Sequence, residues 1–152
     1  MWLLFFHVAM VFVGFALTTG IGIGLTQIVH AGDVRATRVA ARSALPLATA
    51  GGVVLIVGVL FGFATAAKVG FSLSESWLVL TYVFVGLIIL DGFFIRLPWV
   101  SKLAKAAQAS PDDQPSEELR ELSESRLAAV TGPLSGLLWL GTLIMMTVKP
   151  HL

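Results

Sequence analysis

Long apolar runs separated by short polar stretches set the pattern of this chain. The first run, Trp2 to Val29, contains no Asp, Glu, Lys or Arg, and His7 is its one titratable side chain. As a helix it makes a rod of roughly 42 Å, more than the ~30 Å hydrocarbon core of a bilayer. Three similar runs follow at about 44–69, 77–95 and 127–148. The pattern predicts an all-α protein, a four-helix transmembrane bundle forming a single integral membrane domain over residues 1–152. Residues 30–43 and 96–126 form its two larger connections. The first run has no basic stretch before it and no cleavage site after it, and it is far longer than a signal sequence's apolar core, so it reads as a retained span.

Local signals refine the elements. Asp33 is placed to cap a helix starting at Val34. Pro46 sits either in the first turn of the second span or at a kink in a helix begun at Val34. Trp77 and Tyr82 sit near the interface end of the third span. LPWVSKLAKAAQ sets Lys102 and Lys105 roughly opposite Trp99, Leu103 and Ala106, which predicts a segment lying in the membrane interface. SPDD at 110–113 reads as a helix start, SEELRELSESR as a solvated helix, and Gly132-Pro133 as an early bend in the last span.

Composition agrees with a bilayer protein. Hydrophobic residues make up 57% of the chain and charged residues 12%, about half the ~25% usual in soluble domains. Apart from Asp91, the charges lie between the runs or at their ends. A net charge of +1 without a basic-aromatic patch excludes nucleic acid as a partner. The absence of cysteine excludes disulfides, thiol chemistry and cysteine-held metals. Lys and Arg favour the two larger connections: Arg35, Arg38 and Arg42 in the first, Arg96, Lys102, Lys105, Arg120 and Arg126 in the second, against Lys68 and Lys149 on the other side. The expected orientation is N-out and C-out, with a helical cytoplasmic segment between helices 3 and 4. Arg35, Arg38 and Arg42 share one helix face and serve as a topology signal or as contacts to anionic lipid headgroups.

Helices in lipid associate through small residues. The expected packing pairs are Gly20 with Gly24, Gly58 with Gly62, and Gly132 with Gly136. The GIGIG run lies inside an apolar helix, which excludes a dinucleotide loop.

Candidate chemistry is sparse. His7 shares a face with Met10, Val11, Gly14, Thr18 and Ile21, and Gly14 would admit a flat macrocycle. An imidazole there can ligate heme iron or a metal. Met145, Met146 and His151 end the fourth span at the same level and are the candidate second ligands; His30 lies about 35 Å away along the helix. Asp91, near the charged end of the third span, is a candidate proton or ion site, or the partner of an arginine such as Arg96 or Arg42. The spans contain no Ser/His/Asp arrangement, HExxH motif, phosphate loop or paired carboxylates, so the chain reads as non-catalytic.

The stretches FFHVAMVFVGFALTTGIGIGLTQIVHAGD, SESWLVLTYVFVG and WLGTLIMMTVKP resemble a family of small bacterial predicted integral membrane proteins, known only as a domain of unknown function. The resemblance covers most of the chain and implies a four-helix inner-membrane protein without an agreed activity. More distantly, the early histidine is similar to that of four-helix membrane proteins of the copper-resistance D and protoporphyrinogen oxidase J kinds, which implies His7 as a heme or copper ligand. The expected function is an accessory or structural membrane subunit, in a homo-oligomer or a larger membrane complex. The alternatives are a b-type heme- or metal-binding redox protein using His7, and a proton or ion carrier using Asp91.

Overall fold

Three long helices open the chain: α1 (Trp2–His30), α2 (Val34–Val69) and α3 (Ser76–Ala109). A short α4 (Glu117–Ser123) and the final α5 (Arg126–Val148) complete it. The computed structural model describes residues 1–149, and the side chains of all of these but 127–129. Among the described residues all regular structure is helical, and α1, α2, α3 and α5 are each long and apolar enough to cross a membrane. Large apolar side chains such as Phe12 and Leu60 point outward from the bundle, as they must where lipid rather than water is the solvent. The protein is a multi-pass membrane helix bundle.

The turns follow the chemistry of the sequence. Asp33 Oδ1 accepts the Ala36 N–H at 2.9 Å and opens α2. Gly70, at φ +87°, closes it in a left-handed conformation that glycine adopts at little cost. Pro46 lies inside α2, so the helix does begin at Val34.

In the polar region the helix boundaries differ from expectation. LPWVSKLAKAAQ is not a separate segment; it continues α3 as far as Ala109. Leu103, Ala106 and Ala107 are buried there against Ala41, Ala44 and Val34 of α2, Leu25 and Val29 of α1, and Leu119 of α4. At about 54 and 51 Å, α2 and α3 exceed the bilayer core, and their projecting ends pack like a small soluble domain. SPDD starts no helix, because its polar groups are engaged elsewhere. Ser110 Oγ donates back to the Ala106 carbonyl at 2.8 Å and accepts the Ser116 N–H at 3.0 Å. Asp112 is taken by arginines of α2. Helix α4 starts instead at Glu117, with Ser116 Oγ accepting the Leu119 N–H.

Helix α1 packs along α2, and α3 along α5. At the α1–α2 seam the backbones approach closely: a Cβ on Gly14, Gly51, Gly58 or Gly62 would fall 2.8–3.0 Å from an atom of the facing helix. Gly141 of α5 stands in the same relation to Phe84 of α3. Of the three expected glycine pairs, only Gly58 and Gly62 pack closely among the described residues. A Cβ on Gly20, Gly24, Gly132 or Gly136 would meet nothing within 4 Å. Spacing puts two glycines on one face; it does not supply a helix opposite that face.

Candidate functional site

Two π-turns and a Gly-Pro step fall around one region of the bundle. Residues 16–20 of α1 and 91–96 of α3 are wound as π-helix, and α5 carries Gly132-Pro133. π-turns inside α-helices are uncommon and often mark functional positions. In α3 the cause is Pro98, which has no N–H for the Phe94 carbonyl and whose ring crowds it, so the preceding turn widens. In α1, Thr18 Oγ1 donates to the Gly14 carbonyl at 2.8 Å and reaches the Phe15 carbonyl at 3.4 Å, competing with the backbone ladder.

These irregular turns surround a cavity of about 530 Å³, walled by all four long helices. Gly22 of α1, Gly52 and Leu55 of α2, Phe93 of α3 and Trp139 of α5 are among its lining residues. Asp91 and Arg96 stand in its wall, their side chains 14% and 25% exposed.

The pairing of Asp91 with Arg96 depends on the π-turn. In an α-helix five residues turn through about 500°, leaving the two side chains roughly 140° apart. Winding with i→i+5 hydrogen bonds brings such residues over one another. Arg96 Nε donates to Asp91 Oδ2 at 2.7 Å, and Arg96 Nη2 donates to the Thr131 carbonyl of α5 at 2.8 Å. Ser135 Oγ, from the next turn of α5, also donates to Asp91 Oδ2, at 2.8 Å. Ser135 differs here from Thr26, Thr49 and Thr81, whose hydroxyls bond back to their own helices. One acid, one base, a serine and a carbonyl thus tie α3 to α5. Arg96 Nη1 and Asp91 Oδ1 have no partner among the described residues.

The other candidates are held by separate contacts. His7 is buried in the α1–α2 seam, where Nδ1 donates to the Gly58 carbonyl at 2.7 Å and the ring fills the space left by Gly62. Gly14 leaves no room for a macrocycle, since Leu55 presses against it. Met145 packs with Ala66, Trp77 and Leu78, and Met146 is half-buried. His151 lies outside the described residues. Among those described, no three His, Cys, Asp or Glu side chains cluster as a metal site would require.

Of the three arginines, two engage protein. Arg38 donates from Nε to the Ala107 carbonyl (3.0 Å), from Nη2 to the Ser110 carbonyl (2.9 Å), and from Nη1 to Asp112 (2.8 Å). Arg35 meets the other Asp112 oxygen at 3.0 Å. The hydrogen bond from Arg38, followed by the charge of Arg35, holds the Asp112 carboxyl below its ordinary pKa. These arginines cap the end of α3, and only Arg42 is left facing outward without a protein partner among the described residues.

Asp91 was legible as a candidate, and Arg96 as one of two arginines that could pair with it. Ser135, the Thr131 carbonyl and Gly22 were missed, and no sequence signal marks them: they come from helices whose relative rotation the sequence does not state. No family model, curated protein or solved structure matches the chain.

Proposed function

We propose that the chain is a non-catalytic accessory protein of a bacterial inner membrane that works by holding a small amphiphile in the cavity beside Asp91 and Arg96. One observation carries this reading: two π-turns and the Gly132-Pro133 step of α5 line a cavity whose wall also holds the Asp91–Arg96 ion pair. Its volume lies within the roughly 300–1,000 Å³ typical of small-molecule sites. Charges in a membrane span are costly and tend to be kept where they work. The Lys and Arg balance of the connections favours N-out and C-out, with α4 in the cytoplasm.

The test is extraction of the detergent-purified protein with organic solvent, followed by mass spectrometry. Wild type should retain a small molecule near one per chain, and the cavity-filling variants Gly22→Val and Gly52→Leu should lose it. Equal content in all three proteins sinks the proposal.

A second reading concerns assembly. A Cβ on Gly20 or Gly24 of α1 would meet nothing within 4 Å among the described residues, and this favours association there with a second copy or another membrane protein. Loss of an oligomer on Gly24→Leu, read by cross-linking in membranes, is the expected result; an unchanged cross-linking pattern removes this reading.

A further inference from the structure

We infer that the occupant of the cavity is a neutral amphiphile with a carbonyl-bearing head, taken sideways from the bilayer; this rests on the binding role proposed above. The head group follows from the hydrogen-bond inventory. Arg96 commits Nε to Asp91 and one Nη2 hydrogen to Thr131, leaving Nη1 with donors and no partner among the described residues. The position that would cover Nη1 is glycine: a Cβ on Gly22 would lie 3.1 Å from it. The Thr19 hydroxyl also lines the cavity without a partner among the described residues. Donors are left over, so the ligand must supply an acceptor oxygen. Asp91 Oδ1 is an acceptor without a partner among the described residues, suited to a hydroxyl on the same head.

Neutrality follows from the pair itself. Asp91 and Arg96 cancel one another at 2.7 Å, so an ion in the cavity would enter an apolar enclosure with no unmatched charge to meet it. Beyond the polar corner the walls are hydrocarbon and aromatic, including Ile88, Phe93 and Trp139, which suits an apolar body or tail.

Entry is lateral because both ends are closed. On one side the Phe15 ring stands edge-on to Trp139, with centroids 4.9 Å apart. On the other, the lining residues Leu25 and Val100 belong to the buried cluster with Leu103 and Ala107. The wall is incomplete toward the lipid, where the lining residues Ile23, Gly132 and Gly136 are exposed. Gly132 and Gly136 act there as a doorway rather than as a packing surface.

The test measures equilibrium binding of four probes to the detergent-solubilised full chain. Decylubiquinone and monoolein carry neutral carbonyl heads, palmitate is charged, and hexadecane has no head. The two carbonyl probes, or one of them, should bind at least tenfold more tightly than palmitate and hexadecane. Which of the two binds identifies the source as a quinone or an acylglycerol. Gly22→Val should weaken that binding at least tenfold, and Gly52→Leu, placed away from the ion pair, provides a second block. If palmitate or hexadecane binds as well as the carbonyl probes, the head assignment falls and the cavity-binding role stands. If no probe binds, or none distinguishes wild type from both variants, both fall.

Discussion

His7 reaches across 51 residues of sequence to give its Nδ1 proton to the Gly58 carbonyl, 2.7 Å away. A carbonyl can only accept, so the proton must sit on Nδ1. The bond fixes the height of α1 against α2, and Gly62 provides the space that the ring occupies. Interhelical hydrogen bonds of this kind contribute about 0.6–2 kcal/mol in membranes. His7→Phe should therefore lower stability by roughly that amount, read from unfolding in mixed micelles. Gly62→Leu should do more damage because the imidazole occupies its space, and Gly24→Leu should stay within about 0.5 kcal/mol of wild type. Equal effects at Gly62 and Gly24 would contradict the packing described.

The pair in the cavity wall makes a sharper prediction. Removing one member of a buried ion pair leaves the other uncompensated, at a cost of about 3–5 kcal/mol; partial exposure of both side chains places the expectation near 3. Asp91→Asn and Arg96→Gln should each reach that size. The double variant should be destabilised by clearly less than their combined effect, and strict additivity in the cycle would show the pair is not coupled.

A third prediction concerns pH at the projecting end. Asp112 titrates below its ordinary value in the folded chain because Arg38 and Arg35 face it. A carboxyl depressed on folding stabilises fully above its unfolded pKa of about 3.9 and loses that contribution as pH falls through the lower folded value. Proteolytic protection of residues 110–116 should thus be constant from neutral pH to about 5 and decline below about 4. Asp112→Asn should remove the acid-dependent step, and a decline that persists in that variant would assign it to another group.

How much of this the sequence carries depends on the range of the cause. The four spans and the Asp33 cap were readable because each is decided within a few residues. The extension of α3 to Ala109 was not, since Lys102 and Lys105 suggest an interface and only the surfaces of α1, α2 and α4 explain why Leu103 and Ala107 are buried. The Asp91–Arg96 contact was proposed from proximity alone, although α-helical spacing places the two on different faces. Pro98 was visible, but its effect on the turn before it requires the backbone. For the glycines, Gly58 and Gly24 look alike in a one-dimensional pattern, and only the neighbouring helix separates them.

The π-turn at 91–96 also sets the phase of everything after it. Each residue of an α-helix advances the side-chain direction by about 100°, so one residue absorbed in a wide turn re-aims the rest of α3 by roughly that angle. Val100, Leu103 and Ala107 face the buried cluster on the far side of this adjustment, whereas Leu78, Thr81 and Ile88 are buried on the near side. If the turn reverted to ordinary α-helix, Arg96 would swing away from Asp91 and the projecting end would rotate out of its core. The cavity and the packed end beyond it share a single dial.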